Sequence, residues 1–169
     1  MAQKHLPLPQ LQQLLSQRLK KAKSVALLGV GSELRGDDAV GMRVAELLSK
    51  PSNTHPLLKV HFGSTAPESA TGPIRVQKPS HLIIVDAAGL GVAPGQVALL
   101  ERAEISGITF CTHALPLSVV IEYIENHVPG IDVFVLAVQA EHMLFAEPLS
   151  AAVEETAQAL ANALLAALP

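Results

Sequence analysis

Ala26-Leu27-Leu28-Gly29-Val30-Gly31-Ser32-Glu33-Leu34-Arg35-Gly36-Asp37-Asp38-Ala39-Val40-Gly41 carries an apolar run into glycines and then delivers two adjacent carboxylates. Residues 24 to 30 are apolar and short, the mark of a buried parallel strand, and Val40, Val44, Leu47 and Leu48 recur on one helical face. A helix is therefore expected from Asp38 to Leu48. Carboxylates at a helix start accept hydrogen bonds from free backbone N–H groups and oppose the positive end of the helix dipole, so each acid alone reads as an N-cap. A chemical role needs partners further along the chain.

The same pattern recurs downstream. His81-Leu82-Ile83-Ile84-Val85 is an apolar, β-branched run that stops at Asp86-Ala87-Ala88-Gly89, as a central strand does where a functional loop begins. Around these two units the spacing predicts a helix over Leu11–Lys23 and strands over Leu57–Phe62, Gln96–Glu101 and Asp132–Val138. Gln96–Glu101 suits an antiparallel edge. Helices are expected at Leu115–His127, with Pro116 in the first turn, and at Leu149–Leu168. Gly72, Pro73 and Pro79 leave room only for a short or irregular helix over residues 69–79. Strands alternating with helices imply an α/β fold, a single-domain three-layer α/β/α sandwich on a mostly parallel twisted sheet of about five strands.

Composition narrows the function. One cysteine in 169 residues excludes a disulfide framework and points to a reducing, cytoplasmic setting. No run is long enough to cross a bilayer and the start lacks a signal-peptide core, so no membrane insertion is expected. With 12 Lys and Arg against 15 Asp and Glu, 3% aromatics and no Trp, the basic stripes and stacking platforms of nucleic-acid binders are missing. A monomer is expected, its Ala/Leu-rich last helix packed on the sheet.

In parallel sheets, sites gather beyond the carboxyl ends of the strands. That rule brings together Asp38 after strand one, Asp86 after strand three and His113 before the helix near Leu115. Two carboxylates and an imidazole make an O,O,N set suited to a borderline divalent metal such as nickel or zinc. Successive side chains in a helical first turn diverge by about 100°, so Asp37 is assigned to capping or local support rather than to the same ion. An aspartic-protease dyad from Asp37 and Asp38 is disfavoured on the same ground. Each member keeps a plainer reading: Asp86 as a turn cap, His113 as a surface histidine. Glu68 reads as a substrate-positioning or solvated loop acid, Arg35 as an anchor for an acidic group or a solvated cation, and His142 as a fourth-ligand candidate. Cys111 near His113 is a weak nucleophile candidate.

The string Gly29 to Gly41 closely resembles the opening of the hydrogenase maturation endopeptidases that process nickel–iron hydrogenase large subunits. Gly63 with Thr65-Ala66-Pro67-Glu68, Leu82-Ile83-Ile84-Val85-Asp86-Ala87 and Thr112-His113-Ala114-Leu115-Pro116-Leu117 resemble the family's other blocks, in order and at similar spacing. The Thr-His-x-x-Pro-Leu form is similar to the branch serving formate-hydrogenlyase-type hydrogenases. The resemblance runs from about residue 24 to the end, and implies an N-terminal helical extension over residues 1–23 and a protease domain over 24–169. It also implies that Asp38, Asp86 and His113 recognise nickel, serving as both catalytic and metal-contacting residues. The metal is then carried by the substrate, a nickel-loaded large-subunit precursor that loses a C-terminal extension, and no organic cofactor is needed. By family the enzyme would be an aspartic-type endopeptidase. Ser32 departs from the pattern, standing where many members have Asn. Two other classes remain: a non-catalytic metal-binding or chaperone module, and a nucleotide-binding α/β domain. The latter fails at Gly36, which comes too late for G-x-G-x-x-G, and at the acids that would repel a pyrophosphate.

Overall fold

Continuous apolar runs become the middle of a sheet. The computed structural model describes residues 7–105, 108–110 and 115–169. Within them the chain forms α1 (Leu8–Leu19), β1 (Val25–Val30), α2 (Val40–Leu48), β2 (Leu58–Ser64), α3 (Thr71–Gln77), β3 (His81–Gly89) and β4 (Val97–Leu100). It continues with α4 (Arg102–Ile105), β5 (Thr109–Phe110), α5 (Leu117–His127), β6 (Asp132–Gln139) and α6 (Ala151–Ala167). The strands form one sheet in the order β2-β1-β3-β6-β4, with β5 paired to β3. β1, β2, β3 and β6 are parallel, whereas β4 and the two-residue β5 run antiparallel to their neighbours.

Period-two alternation divides the core into two. Ile83, Val85 and Ala87 face a cluster built by α1, α2 and α6, while Leu82, Ile84 and Ala88 face one built by α3 and α5. This is the expected three-layer sandwich. Leu11, Leu15 and Leu19 of α1 are fully buried in the first cluster, so this helix is part of the core. Arg18 of the same helix holds Asp132 and Glu101 and lies over the Phe134 ring, 4.3 Å from its centroid.

Three boundaries differ from the sequence reading. Asp86 lies inside β3, because β6 continues to pair with it through Asp86↔Ala137 and Ala88↔Gln139, and β5 adds Ala88↔Phe110. Asp37 and Asp38 sit in a 3-10 turn, Gly36–Ala39, ahead of α2 rather than within it. Pro116 precedes α5 instead of occupying its first turn: its φ of −57° would suit a helix, but its ψ of 136° is extended. No helix among the described residues is long and apolar enough to cross a membrane.

Candidate active site

Strand order locates the crevice. From β1 the chain moves to one neighbour, β2, and then returns to the other, β3, so the direction of winding reverses between β1 and β3. The helix leaving β1, α2, covers one face, and α3, which leads into β3, covers the other. A gap therefore opens beyond the carboxyl ends of β1 and β3, the place where open α/β sheets bind ligands.

Both predicted carboxylates lie at this gap. β1 pairs with β3 only as far as Gly29↔Val85, so Asp86 is the first residue of β3 past that pairing. Its side chain points to the face shared with Leu82, Ile84 and Ala88, towards α3 and α5. Close backbone approaches set the turn that carries Asp38 against the ends of these strands. A Cβ at Gly31 would fall 1.7 Å from the Asp38 carbonyl oxygen, and one at Gly41 would fall 2.0 Å from the Val85 oxygen and 2.3 Å from the Val30 oxygen. Only glycine lets the turn before α2 rest on the strand ends.

Asp37, Asp38 and Asp86 are all 0% exposed, which is uncommon for carboxylates. The Asp38 Oδ2 accepts from the Ser32 N–H at 3.0 Å, and the Asp86 Oδ1 accepts from the Ala87 N–H at 2.8 Å. Ser32, the residue departing from the family pattern, accepts at its own Oγ from the Leu34 N–H at 3.4 Å. Its backbone thus meets Asp38 whatever the side chain.

Asp37 has a different task, the local support expected of it. Its Oδ1 accepts from the Ser150 N–H at 2.7 Å, and its Oδ2 from the Ser150 hydroxyl at 2.9 Å, the Glu141 N–H at 2.7 Å and the His142 N–H at 3.2 Å. Its own N–H donates to the His142 carbonyl at 3.0 Å. One buried carboxylate thereby ties both ends of the β6–α6 loop to the β1–α2 turn. Ser150, the anchor 113 residues away, carried no signal in the sequence.

The remaining candidates are less central. His142 presses its ring on Gly36, where a Cβ would approach Nδ1 to 2.6 Å, and that nitrogen is shut from solvent without a hydrogen-bond partner. It faces the turn's backbone, which is a packing position. Glu68 is exposed in the turn Pro67–Ala70, and Arg35 is half-buried beside Gly36. His113 and Cys111 lie outside the described residues; Phe110, three residues before His113, pairs with Ala88 two positions beyond Asp86. Among the described residues no three His, Cys, Asp or Glu side chains converge as a metal site.

Residues 42–167 match the family described as hydrogenase maturation protease. The chain belongs to that family. The fold is closely similar to the crystal structure of the [NiFe] hydrogenase maturation protease HycI from Thermococcus kodakarensis, with a TM-score of 0.83 and 30% identity over 92% of this chain and 98% of that one. It is also similar to the solution structure of the endopeptidase HycI from Escherichia coli, with a TM-score of 0.73 and 28% identity over 82% and 87% of the two chains. Among curated relatives, the hydrogenase 3 maturation protease of Escherichia coli K12 is 28% identical over 134 residues, covering 78% of this chain and 83% of its own. By that family membership this chain is a hydrogenase maturation endopeptidase, a hydrolase acting on peptide bonds.

Proposed function

We propose that this protease removes a C-terminal extension from the large-subunit precursor of a nickel–iron hydrogenase once nickel has been inserted, and that Asp38, Asp86 and His113 engage that nickel. The observation that carries the reading is the burial of two carboxylates, 48 positions apart, one in the turn after β1 and one on β3 just past its pairing with β1, where the sheet reverses its winding. Burying carboxylates is costly, and such groups persist where their charge is used. Asp86 also faces the layer containing α5, the helix that His113 precedes in the chain.

Two carboxylate oxygens and an imidazole nitrogen suit nickel presented by the substrate, with water or peptide completing its coordination. The metal then acts as a template, and holding the scissile bond at a fixed place beside the crevice supplies much of the rate. Water is the nucleophile. Its proton goes either to a carboxylate of the set acting as general base, which is aspartic-type hydrolysis, or is released because the cation lowers the water's pKa. A precursor lacking nickel offers no cation to the three side chains and is left uncut. The protein acts in this scheme as a cytoplasmic monomer without an organic cofactor.

The experiment is direct: purified protease is incubated with nickel-loaded and with metal-free large-subunit precursor, and the product termini are read by mass spectrometry. Cleavage of the loaded precursor alone is expected. Equal cleavage of both would remove nickel as the licence. Because the imidazole must be neutral and the acids ionised to meet a metal, processing should fall on acidification through the ordinary histidine range.

A further inference from the structure

The loop that Asp37 holds down has an outer face the cleavage chemistry leaves unused. Leu144 and Phe145 of the β6–α6 loop are 62% and 75% exposed, and Leu34 of the β1–α2 turn is 63% exposed. Backbone hydrogen bonds join them into one patch: the Ala146 N–H donates to the Leu34 carbonyl at 2.8 Å, and the Gly36 N–H to the Glu147 carbonyl at 3.1 Å. Clustered exposure of large apolar side chains marks interaction surfaces, whereas single exposed residues do not. The patch is also anchored, since the Asp37 carboxylate accepts from both ends of its loop. A surface already ordered loses little conformational freedom on binding.

Charge decides the occupant. Glu33, next to Leu34 in the chain, and Glu147, two positions after Phe145, line a shallow cavity of about 200 Å³ together with Arg43 and Glu46. Across that cavity Arg43 is engaged by Glu46 and Glu154, while Glu33 and Glu147 make no ion pair among the described residues. A second copy docking about a twofold axis would set these carboxylates against each other, and an anionic lipid surface would be repelled. A chain with bulky apolar side chains beside lysine or arginine fits both the greasy face and the carboxylates.

We propose that Leu34, Leu144 and Phe145, with Glu33 and Glu147, form a docking surface for an apolar, lysine- or arginine-flanked segment of the hydrogenase precursor, engaged away from the bond that is cut. The inference rests on the reading that Asp38 belongs to the cleavage site, because the backbone bonds of Asp37 place this patch beside it. Docking here selects the substrate and leaves the chemistry to the crevice.

Two variants of the full chain test it, Leu144→Ser/Phe145→Ser and Glu33→Lys/Glu147→Lys, both at exposed positions. Against nickel-loaded precursor the first should raise KM about tenfold with kcat within about twofold, as removal of apolar anchors does. The second should lower kcat/KM by about fivefold and flatten its decline with salt. Binding of uncut precursor to Asp38→Asn protein, with and without the same substitutions, is measured in parallel by fluorescence anisotropy. If the native protein cuts nothing but the substitutions weaken binding, the cleavage reading fails and the docking surface stands. Unchanged KM and unchanged binding in both variants would overturn the docking surface, as would a loss of self-association in place of precursor binding on sedimentation.

Discussion

The two ends of the sheet treat charge in opposite ways. At the amino end of the strands, Arg18 gathers Asp132 and Glu101, so that α1 is bound to β6 and to the end of β4 by an ion-paired network. At the carboxyl end, Asp37, Asp38 and Asp86 are buried, and Asp37 is held by one loop's N–H groups and a hydroxyl. Pairing with a cation stabilises a fold but neutralises the acid. Hydrogen bonding from backbone N–H groups instead fixes a carboxylate without recruiting a cationic side chain, and at Asp37 it ties a distant loop to the turn that carries Asp38.

That contrast is sharpest between neighbours. Asp38→Asn should lower processing of nickel-loaded precursor by about a thousandfold or more while leaving the unfolding midpoint nearly unchanged, because the amide oxygen still accepts from the Ser32 N–H. His113→Ala should behave alike. Precursor cleavage and urea unfolding, measured together, check both, and full activity in either variant removes that residue from the mechanism. Asp37→Ala should invert the outcome: three N–H groups and a hydroxyl lose their acceptor in a buried site, at a cost of about 3–5 kcal/mol. Its residual activity should follow the folded fraction, and rise when a stabilising osmolyte restores the fold.

Smaller effects belong to the opposite end. Arg18→Ala should cost about 1–2 kcal/mol, the exposure of its partners limiting the value of the pairs, and should leave kcat alone. The Arg18 guanidinium holds the Asp132 carboxyl below its ordinary range, so the stability it contributes is present above the unfolded carboxyl pKa and is lost as pH falls through the folded one. The variant's unfolding free energy should therefore depend less steeply on pH in the acid range. The smallest effect concerns His61, whose burial lowers its pKa although its Nε2 lies 2.8 Å from the Gln77 Oε1. A histidine kept neutral by the fold contributes stability above its unfolded pKa of 6.5 and loses it as pH falls below that value. Denaturant midpoints taken across that range should decline towards acid, and less so in His61→Gln.

How far all this was legible varies by element. β1, β3 and β6 announce themselves because strands buried on both faces need unbroken apolar runs. α4 and β5, of four and two residues, are too short to show a period, and the extension of β3 through Asp86–Gly89 depends on pairing with β6 and β5 rather than on its own residues. The buried acids divide similarly. The expectation that Asp37 and Asp38 point apart rests on local helical geometry, whereas the partners of Asp37 come from a loop more than 100 residues away.

Sequence alone determined the sandwich and the family and nominated Asp38, Asp86 and His113 as candidates, because strand periodicity, glycine placement and donor chemistry are written residue by residue. Tertiary structure decided that the gap lies between β1 and β3, that Asp86 sits within its strand, and that Asp37 belongs to a loop clamp bearing an exposed apolar face. Those facts depend on which strands become neighbours and which distant N–H groups meet a carboxylate, and no local pattern encodes a long-range pairing.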